Sequence, residues 1–222
     1  MFERFTSWLQ SFVGVEKPST NAIAAARMQQ PAMPLPAAIT DFVEATRMGS
    51  PRQAEMMGFL TQHGINPWEF AEWSKHFAQG VEYVYRRFGT CPKVIIFTDD
   101  EFPTALYESK TQTIRISRGY VLGEIANRYG RESKTEPYML SANEHATIRG
   151  VEESFHHYQI TKHADYYSQF PPENRPERSG FTQGYDNHPL EYDAERIVRQ
   201  AIVEFGYDKH MYQMIPGMIP WT

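Results

Sequence analysis

Apolar residues recur every three or four positions along three long stretches of the chain, which is the spacing of one face of an α-helix. The first stretch starts at Asn66, a capping residue followed by proline, and ends at Gly89. The second follows Ser141, and Glu144 three residues later completes the pattern of a capping box. The third has its first-turn proline at Pro189 and runs to about residue 205. Three core helices are therefore predicted.

Shorter patterns lie between these helices. Residues 50–63 and 120–129 predict two further helices, the first of them with a serine cap and a first-turn proline. The β-branched run at residues 93–97 predicts a buried strand. Residues 104–117 predict a β-hairpin, because two strand-like segments flank a polar turn. The expected fold class is α+β, mostly helical, with a small sheet or hairpin packed on the helix that follows Ser141.

The composition divides the chain into a terminal segment and one domain. Residues 1–40 combine an amphipathic segment with a linker rich in proline and alanine. Residues 1–15 are expected to dock on the domain, on a partner or on a membrane surface. Residues 41–222 are expected to form a single domain that ends in a C-terminal strap. Within it, residues 164–187 predict a long irregular loop of the kind that often serves a function.

The overall composition argues against a nucleic-acid-binding protein, a membrane-spanning protein and a disulfide-bonded protein. The 222 residues are 41% hydrophobic and carry a net charge of −5 with acids and bases interspersed, which argues against a nucleic-acid-binding surface. No apolar run reaches the length of a membrane span. The single cysteine, Cys91, excludes an internal disulfide and fits a reducing compartment, so a cytoplasmic location is expected.

The helix after Ser141 carries two distinct faces when residues are placed at 100° intervals. Its apolar face is expected to pack in the core and consists of Ile148, Val151, Phe155 and Tyr158. A second face carries acids and imidazoles, namely His145, Glu152, His156 and His163, with Glu153 beside them. Half-buried charges require a partner, and a metal ion is one such partner.

The spacing within this charged face is that of a metal site with a general base. Glu152 and His156 stand at i and i+4, which places both side chains on one side of the helix, and Glu153 at i+1 lies beside them. A third ligand is expected from the last helix. Glu191 is the candidate because it falls between Val198 and Ile202 in an otherwise apolar arc.

These residues resemble the motifs of a known family. The segment from Glu152 to Gln159, E-E-S-F-H-H-Y-Q, resembles the H-E-x-x-H-x-x-Q helix of zincin-type metallopeptidases. The segment from Glu191 to Glu195 is similar to the E-x-x-A-[D/E] helix of the gluzincin branch. The resemblance implies a zincin-like fold, a peptide or protein substrate, metal ligation by Glu152, His156 and Glu191, and Glu153 as general base.

The first histidine of the family motif is replaced by Glu152 in this chain. A second carboxylate ligand makes the ion less electrophilic. The implied cofactor is Zn²⁺, with Mn²⁺, Fe²⁺ or no metal as the alternatives that this replacement leaves open. Residues expected to support the ligands or the reaction are His145, His163, Tyr185, His188 and Glu195.

Three alternatives remain from the sequence. Glu153, His157 and His163 have the spacing of the metzincin branch, although this register lacks the family's turn glycine. Glu153 and His156 also match half of a di-iron site, but no second Glu-x-x-His occurs. The third alternative is a non-catalytic, zincin-like binding or structural module, in which the Glu/His cluster is a hydrogen-bond network and Arg149 neutralises Glu152 or Glu153.

Overall fold

The computed structural model describes residues 33–126, 140–169 and 189–207. In this part of the chain, seven α-helices and a three-stranded sheet form an α+β arrangement that is mostly helical, as predicted. The helices are α1 Ala37–Thr46, α2 Pro51–Leu60, α3 Pro67–Phe88, α4 Arg118–Ala126, α5 Ala142–Lys162, α6 Ala164–Tyr167 and α7 Pro189–Phe205. The strands are β1 Val94–Thr98, β2 Ala105–Glu108 and β3 Thr113–Ser117, and a short 3-10 turn at Thr61–His63 follows α2.

The two longest helices begin where the capping residues predict. Asn66 accepts a hydrogen bond from the backbone N–H of Glu69, and the carboxylate of Glu69 accepts one from the backbone N–H of Asn66. Ser141 and Glu144 make the same reciprocal pair at the start of α5, at 3.3 and 2.8 Å. Gly89 ends α3 in the left-handed conformation, which glycine adopts without steric cost.

Helices α3 and α5 approach each other backbone to backbone. A Cβ atom added at Gly80 of α3 would lie 2.0 Å from the carbonyl oxygen of Thr147, and one added at Gly150 of α5 would lie 2.2 Å from that of Phe77. Both glycines therefore have no room for a side chain. This close crossing fixes the position of α5, the helix that carries the candidate site, against the longest helix of the fold.

The predicted hairpin is confirmed and extends into a sheet with the order β1-β3-β2. β2 pairs antiparallel with β3, while β1 pairs parallel with β3. The predicted buried strand, β1, is present but is buried on one face only. Ile95 and Phe97 face the core, but Val94 and Ile96 are 45% and 38% exposed. A β-branched run satisfies the conformational preference of a strand even where only one face of the sheet is covered.

Two segments predicted to be irregular are partly helical. α1 starts at Ala37, inside the expected linker, and its side chains Ile39 and Phe42 are buried in the core. The compact unit accordingly begins at Leu35 instead of near residue 41. Alanine favours helix, so a proline- and alanine-rich stretch still forms one once apolar residues give it a face to bury. α6 occupies the start of the predicted loop, because no proline or glycine interrupts the chain there.

Residues 1–32, most of the predicted long loop and the C-terminal strap lie outside the described residues. None of the helices in the described ranges combines the length and the apolar composition that a membrane crossing requires.

Candidate metal site

The structure brings the three predicted ligands together from two helices. Glu152 and His156 project from successive turns of α5, and Glu191 lies in the first turn of α7. One ligand atom from each of the three lies within 4.8 Å of the others. Across the described ranges of the chain, this is the one group of three His, Cys, Asp or Glu residues that meets that distance. The fold thus brings Glu191 of α7 beside two side chains of α5 from 35 and 39 positions further along the chain.

One pair of the donor atoms has the spacing of two ligands on a small divalent ion. Nε2 of His156 is 3.5 Å from Oε2 of Glu191. Two ligands of a tetrahedral zinc ion lie about 3.3 Å apart when each is about 2.0 Å from the metal. The spacing of His156 and Glu191 is close to that value, and the third donor, Glu152, completes a group with one imidazole and two carboxylates. Such a mixed nitrogen and oxygen set suits Zn²⁺, Mn²⁺ or Fe²⁺.

His156 is buried and its environment favours the charged form. Burial alone lowers the pKa of the imidazole, but a hydrogen bond to Glu191 and the negative charges of Glu153, Glu191 and Glu152 outweigh burial and raise the pKa to about 9. A positive charge among three carboxylates is thus electrostatically favoured at this point. A divalent ion satisfies the same requirement in place of the proton.

Arg149 supplies the second positive charge of the cluster. Its Nη1 lies 2.6 Å from Oε2 of Glu152 and 4.0 Å from Oε1 of Glu153, and its Nε donates to the hydroxyl oxygen of Tyr120 at 3.1 Å. The guanidinium therefore neutralises one face of the glutamate pair, as the non-catalytic interpretation expects. The Glu152 side chain remains 24% exposed, so the cluster opens to solvent on that side.

Glu153, the predicted general base, is held by the edge strand of the sheet. Its Oε2 accepts a hydrogen bond of 2.8 Å from the backbone N–H of Tyr107 in β2. Burial raises the pKa of Glu153; His156, Arg149 and the Tyr107 hydrogen bond lower it, Glu152 raises it further, and the result is about 7. A carboxyl group with that pKa exchanges its proton near neutral pH, which is the property a general base or acid needs.

The residues expected to support the site have other partners where they are described. His145 forms an ion pair with Glu124 of α4. His163 ends α5 and lies 3.0 Å from the Tyr158 hydroxyl, and Glu195 pairs with Arg199 one turn along α7. Tyr185 and His188 lie outside the described residues.

The metzincin-like register does not assemble into a group of its own. Nδ1 of His157 lies 3.0 Å from the hydroxyl of Tyr107, whereas Glu153 accepts from the backbone of that same residue and His163 contacts Tyr158. The three side chains of that register therefore contact different groups.

Sequence reasoning missed the roles of four residues that hold the site. The backbone of Tyr107 binds Glu153, while Gln159, Tyr167 and Asp193 form a hydrogen-bonded chain that ends at His156. Gln159 was detectable, because it stands three residues after His156 and so lies on the same side of the helix. Tyr167 was not, since it falls in a segment predicted to be irregular. Asp193 was not detectable either, because it stands between the acidic residues Glu191 and Glu195 at the start of α7.

No protein family model, curated protein or solved structure matches this chain.

Proposed function

We propose that Glu152, His156 and Glu191 bind a divalent metal ion, and that the protein is a zincin-like, metal-dependent hydrolase of peptides or proteins. The observation that carries the proposal is the convergence of these three donors, from α5 and α7, within 4.8 Å. The geometry supports a metal centre more directly than it supports any substrate. The hydrolase assignment draws in addition on Glu153 and on the resemblance of the two helices to the zincin motifs.

An ion at this site supplies Lewis-acid polarisation of a carbonyl group and makes a water molecule more acidic. The chain supplies the proton transfers. Glu153 accepts a proton from the attacking water and delivers it to the leaving amine. The hydrogen bond from Tyr107 fixes one carboxylate oxygen, so proton exchange falls to the other oxygen, Oε1.

The two glutamate ligands and Arg149 adjust the charge of the centre. Two ligating carboxylates offset the charge of a divalent ion, which weakens its pull on electrons relative to a site with two imidazoles. Arg149, at 2.6 Å from Glu152, withdraws part of that negative charge. We infer that this arginine restores some of the electrophilicity that the replacement of histidine by Glu152 removes.

The hydrolase assignment is tested with a quenched-fluorescence peptide library and protein loaded with Zn²⁺, Mn²⁺ or Fe²⁺ in turn. Wild type should cleave the library with at least one ion. Glu153→Gln should keep the ion and lose cleavage by two or more orders of magnitude, the usual contribution of a general base. Glu82→Gln serves as the matched control, because Glu82 lies on α3 and pairs with Arg86, which is not a residue of the cluster.

A second candidate function is favoured by one observation, the ion pair between Arg149 and Glu152. Because that pair already neutralises Glu152, this carboxylate has a partner without a metal ion, which fits a non-catalytic module whose Glu/His cluster is a hydrogen-bond network. A folded wild type that neither binds metal nor cleaves under any ion, with Glu153→Gln altering stability alone, would support this candidate over the hydrolase.

A further inference from the structure

Gln159 is fully buried on α5, one turn after His156, and its amide connects three parts of the fold. Its Nε2 donates one hydrogen bond of 2.8 Å to the carbonyl oxygen of Leu190 and another of 3.1 Å to the hydroxyl oxygen of Tyr167. Its Oε1 lies 2.8 Å from Nδ1 of His156. Every hydrogen-bonding atom of the amide group thus faces a partner.

The partners determine which way the amide points. The carbonyl oxygen of Leu190 can only accept, so the amide nitrogen of Gln159 must face it and the amide oxygen must face the imidazole. Since that oxygen can only accept, Nδ1 of His156 carries a proton. In the neutral imidazole this leaves the lone pair on Nε2, the nitrogen that faces Glu191 at 3.5 Å.

Tyr167 and Asp193 hold the amide in this orientation. The Tyr167 hydroxyl donates to Oδ2 of Asp193 at 2.8 Å, so its oxygen is free to accept from Gln159. Burial raises the pKa of the Tyr167 phenol, which therefore keeps its proton. The direction of every hydrogen bond from Asp193 through Tyr167 and Gln159 to His156 is consequently fixed.

The same amide also restrains the helix that bears the third ligand. Leu190, whose carbonyl oxygen accepts from Gln159, directly precedes Glu191 in the first turn of α7. Gln159 thus contacts the ring of one ligand and the backbone beside another.

We propose that Gln159 is a positioning residue of the metal centre, which holds His156 with Nε2 toward the ion and fixes the first turn of α7 next to Glu191, and that Tyr167 and Asp193 lock its amide. This inference rests on the proposed metal centre. It assigns the tautomer and the orientation of the ligand to a network that spans α5, α6 and α7. Outer partners of this kind typically change metal affinity 10- to 100-fold.

The test compares Zn²⁺ affinity, by chelator competition, in wild type, Gln159→Leu, Tyr167→Phe and Ser154→Ala. Gln159→Leu should weaken binding 10- to 100-fold, and Tyr167→Phe, which removes one oxygen atom, should weaken it several-fold. Ser154→Ala is the matched control: Ser154 is buried on the same helix and its hydroxyl has no hydrogen-bond partner in the described part of the chain. It should bind Zn²⁺ as wild type does.

Long-range ¹H–¹⁵N NMR of the zinc-loaded protein reads the tautomer directly, with the His156 signals assigned by their loss in His156→Ala. Wild type should show the proton on Nδ1 and the metal on Nε2, whereas Gln159→Leu should show mixed or exchange-broadened ring signals. A purely structural role for Gln159 would lower thermal stability without changing these signals.

The outcomes separate this inference from the proposed function. Equal affinity and identical His156 signals in wild type and Gln159→Leu would overturn the positioning role and leave the metal centre intact. Absence of zinc binding in the wild type would overturn both. If Gln159→Leu does not fold, Tyr167→Phe decides the question: a several-fold loss of affinity supports the network, and wild-type affinity refutes it.

Discussion

The close crossing of α3 and α5 leaves no room for added volume at Gly80. In Gly80→Ala, the new Cβ atom would meet three backbone atoms of α5, at 2.0, 2.7 and 3.0 Å. Carbon and oxygen atoms approach to little less than about 3 Å, so the helices must separate by about 1 Å. Because the obstructing atoms belong to the backbone, no side-chain rotation relieves the contact.

The magnitude follows from two opposing effects. Overpacking of this kind costs about 3 kcal/mol, since separation of the helices also loosens the apolar contacts on either side of the crossing. Replacement of a helical glycine by alanine returns about 1 kcal/mol. The net loss of about 2 kcal/mol corresponds to a fall in Tm of roughly 4–8 °C for a domain of this size.

The assay is thermal unfolding followed by circular dichroism, with Gly58→Ala as the matched control. Gly58 also lies within a helix, α2, but an added Cβ there meets nothing within 4 Å. Gly58→Ala should therefore raise Tm by about 2–4 °C through helix propensity alone. A Tm for Gly80→Ala equal to or above that of the wild type would refute the close crossing.

Three further predictions concern charge and reactivity. Stability of the metal-free protein should decrease as pH rises from 5 to 10, because the folded state raises the pKa of Glu153 to about 7 and that of His156 to about 9. Each group stabilises the fold fully below its pKa in the unfolded chain, and this contribution is lost as pH rises to its pKa in the folded protein. Tm measured against pH in the presence of a chelator checks the sign. Glu153→Gln should flatten the curve between about pH 4.5 and 7, the interval between the ordinary pKa of a glutamate and the pKa of Glu153 in the fold. Arg149→Met should destabilise the metal-free protein, because Glu152 loses the cation that it pairs with. The same loss should strengthen Mn²⁺ binding, which calorimetric titration measures, and weaker binding would contradict this prediction. Burial raises the pKa of the Cys91 thiol to about 12. Iodoacetamide at pH 8 should therefore modify Cys91 far more slowly in the native protein than in the denatured protein. Mass spectrometry measures both rates, and equal rates would contradict the burial of Cys91.

The parts of the fold that could be predicted from sequence are those with local signals. Asn66 and Ser141 cap their helices as expected, because a capping box depends only on residues three positions apart. The hairpin was predictable for the same reason. The pairing of β1 with β3 could not be predicted, because these strands are neighbours in the sheet although β2 lies between them in the sequence.

In the candidate site, too, the residues that could be predicted are those with a local sequence signal. The stacking of Glu152 and His156 follows from helix geometry, and Glu191 was identified because a carboxylate in an apolar arc is unusual. The backbone hydrogen bond from β2 to Glu153 depends on how a sheet edge meets a helix, which no local pattern records. Gln159 was visible as a residue of the motif, but its role appears only when α6 and α7 are placed beside it.

The most direct test of the central claim is elemental analysis of the purified protein, wild type beside His156→Ala, after equilibration with Zn²⁺, Mn²⁺ or Fe²⁺ and removal of free ion. His157→Ala is the matched control, because His157 is a buried histidine on the same helix whose ring nitrogen contacts the Tyr107 hydroxyl. We expect close to one ion per wild-type and His157→Ala chain, and a strong loss in His156→Ala. No bound ion in the wild type, or equal metal content in the wild type and His156→Ala, would contradict a metal centre formed by Glu152, His156 and Glu191.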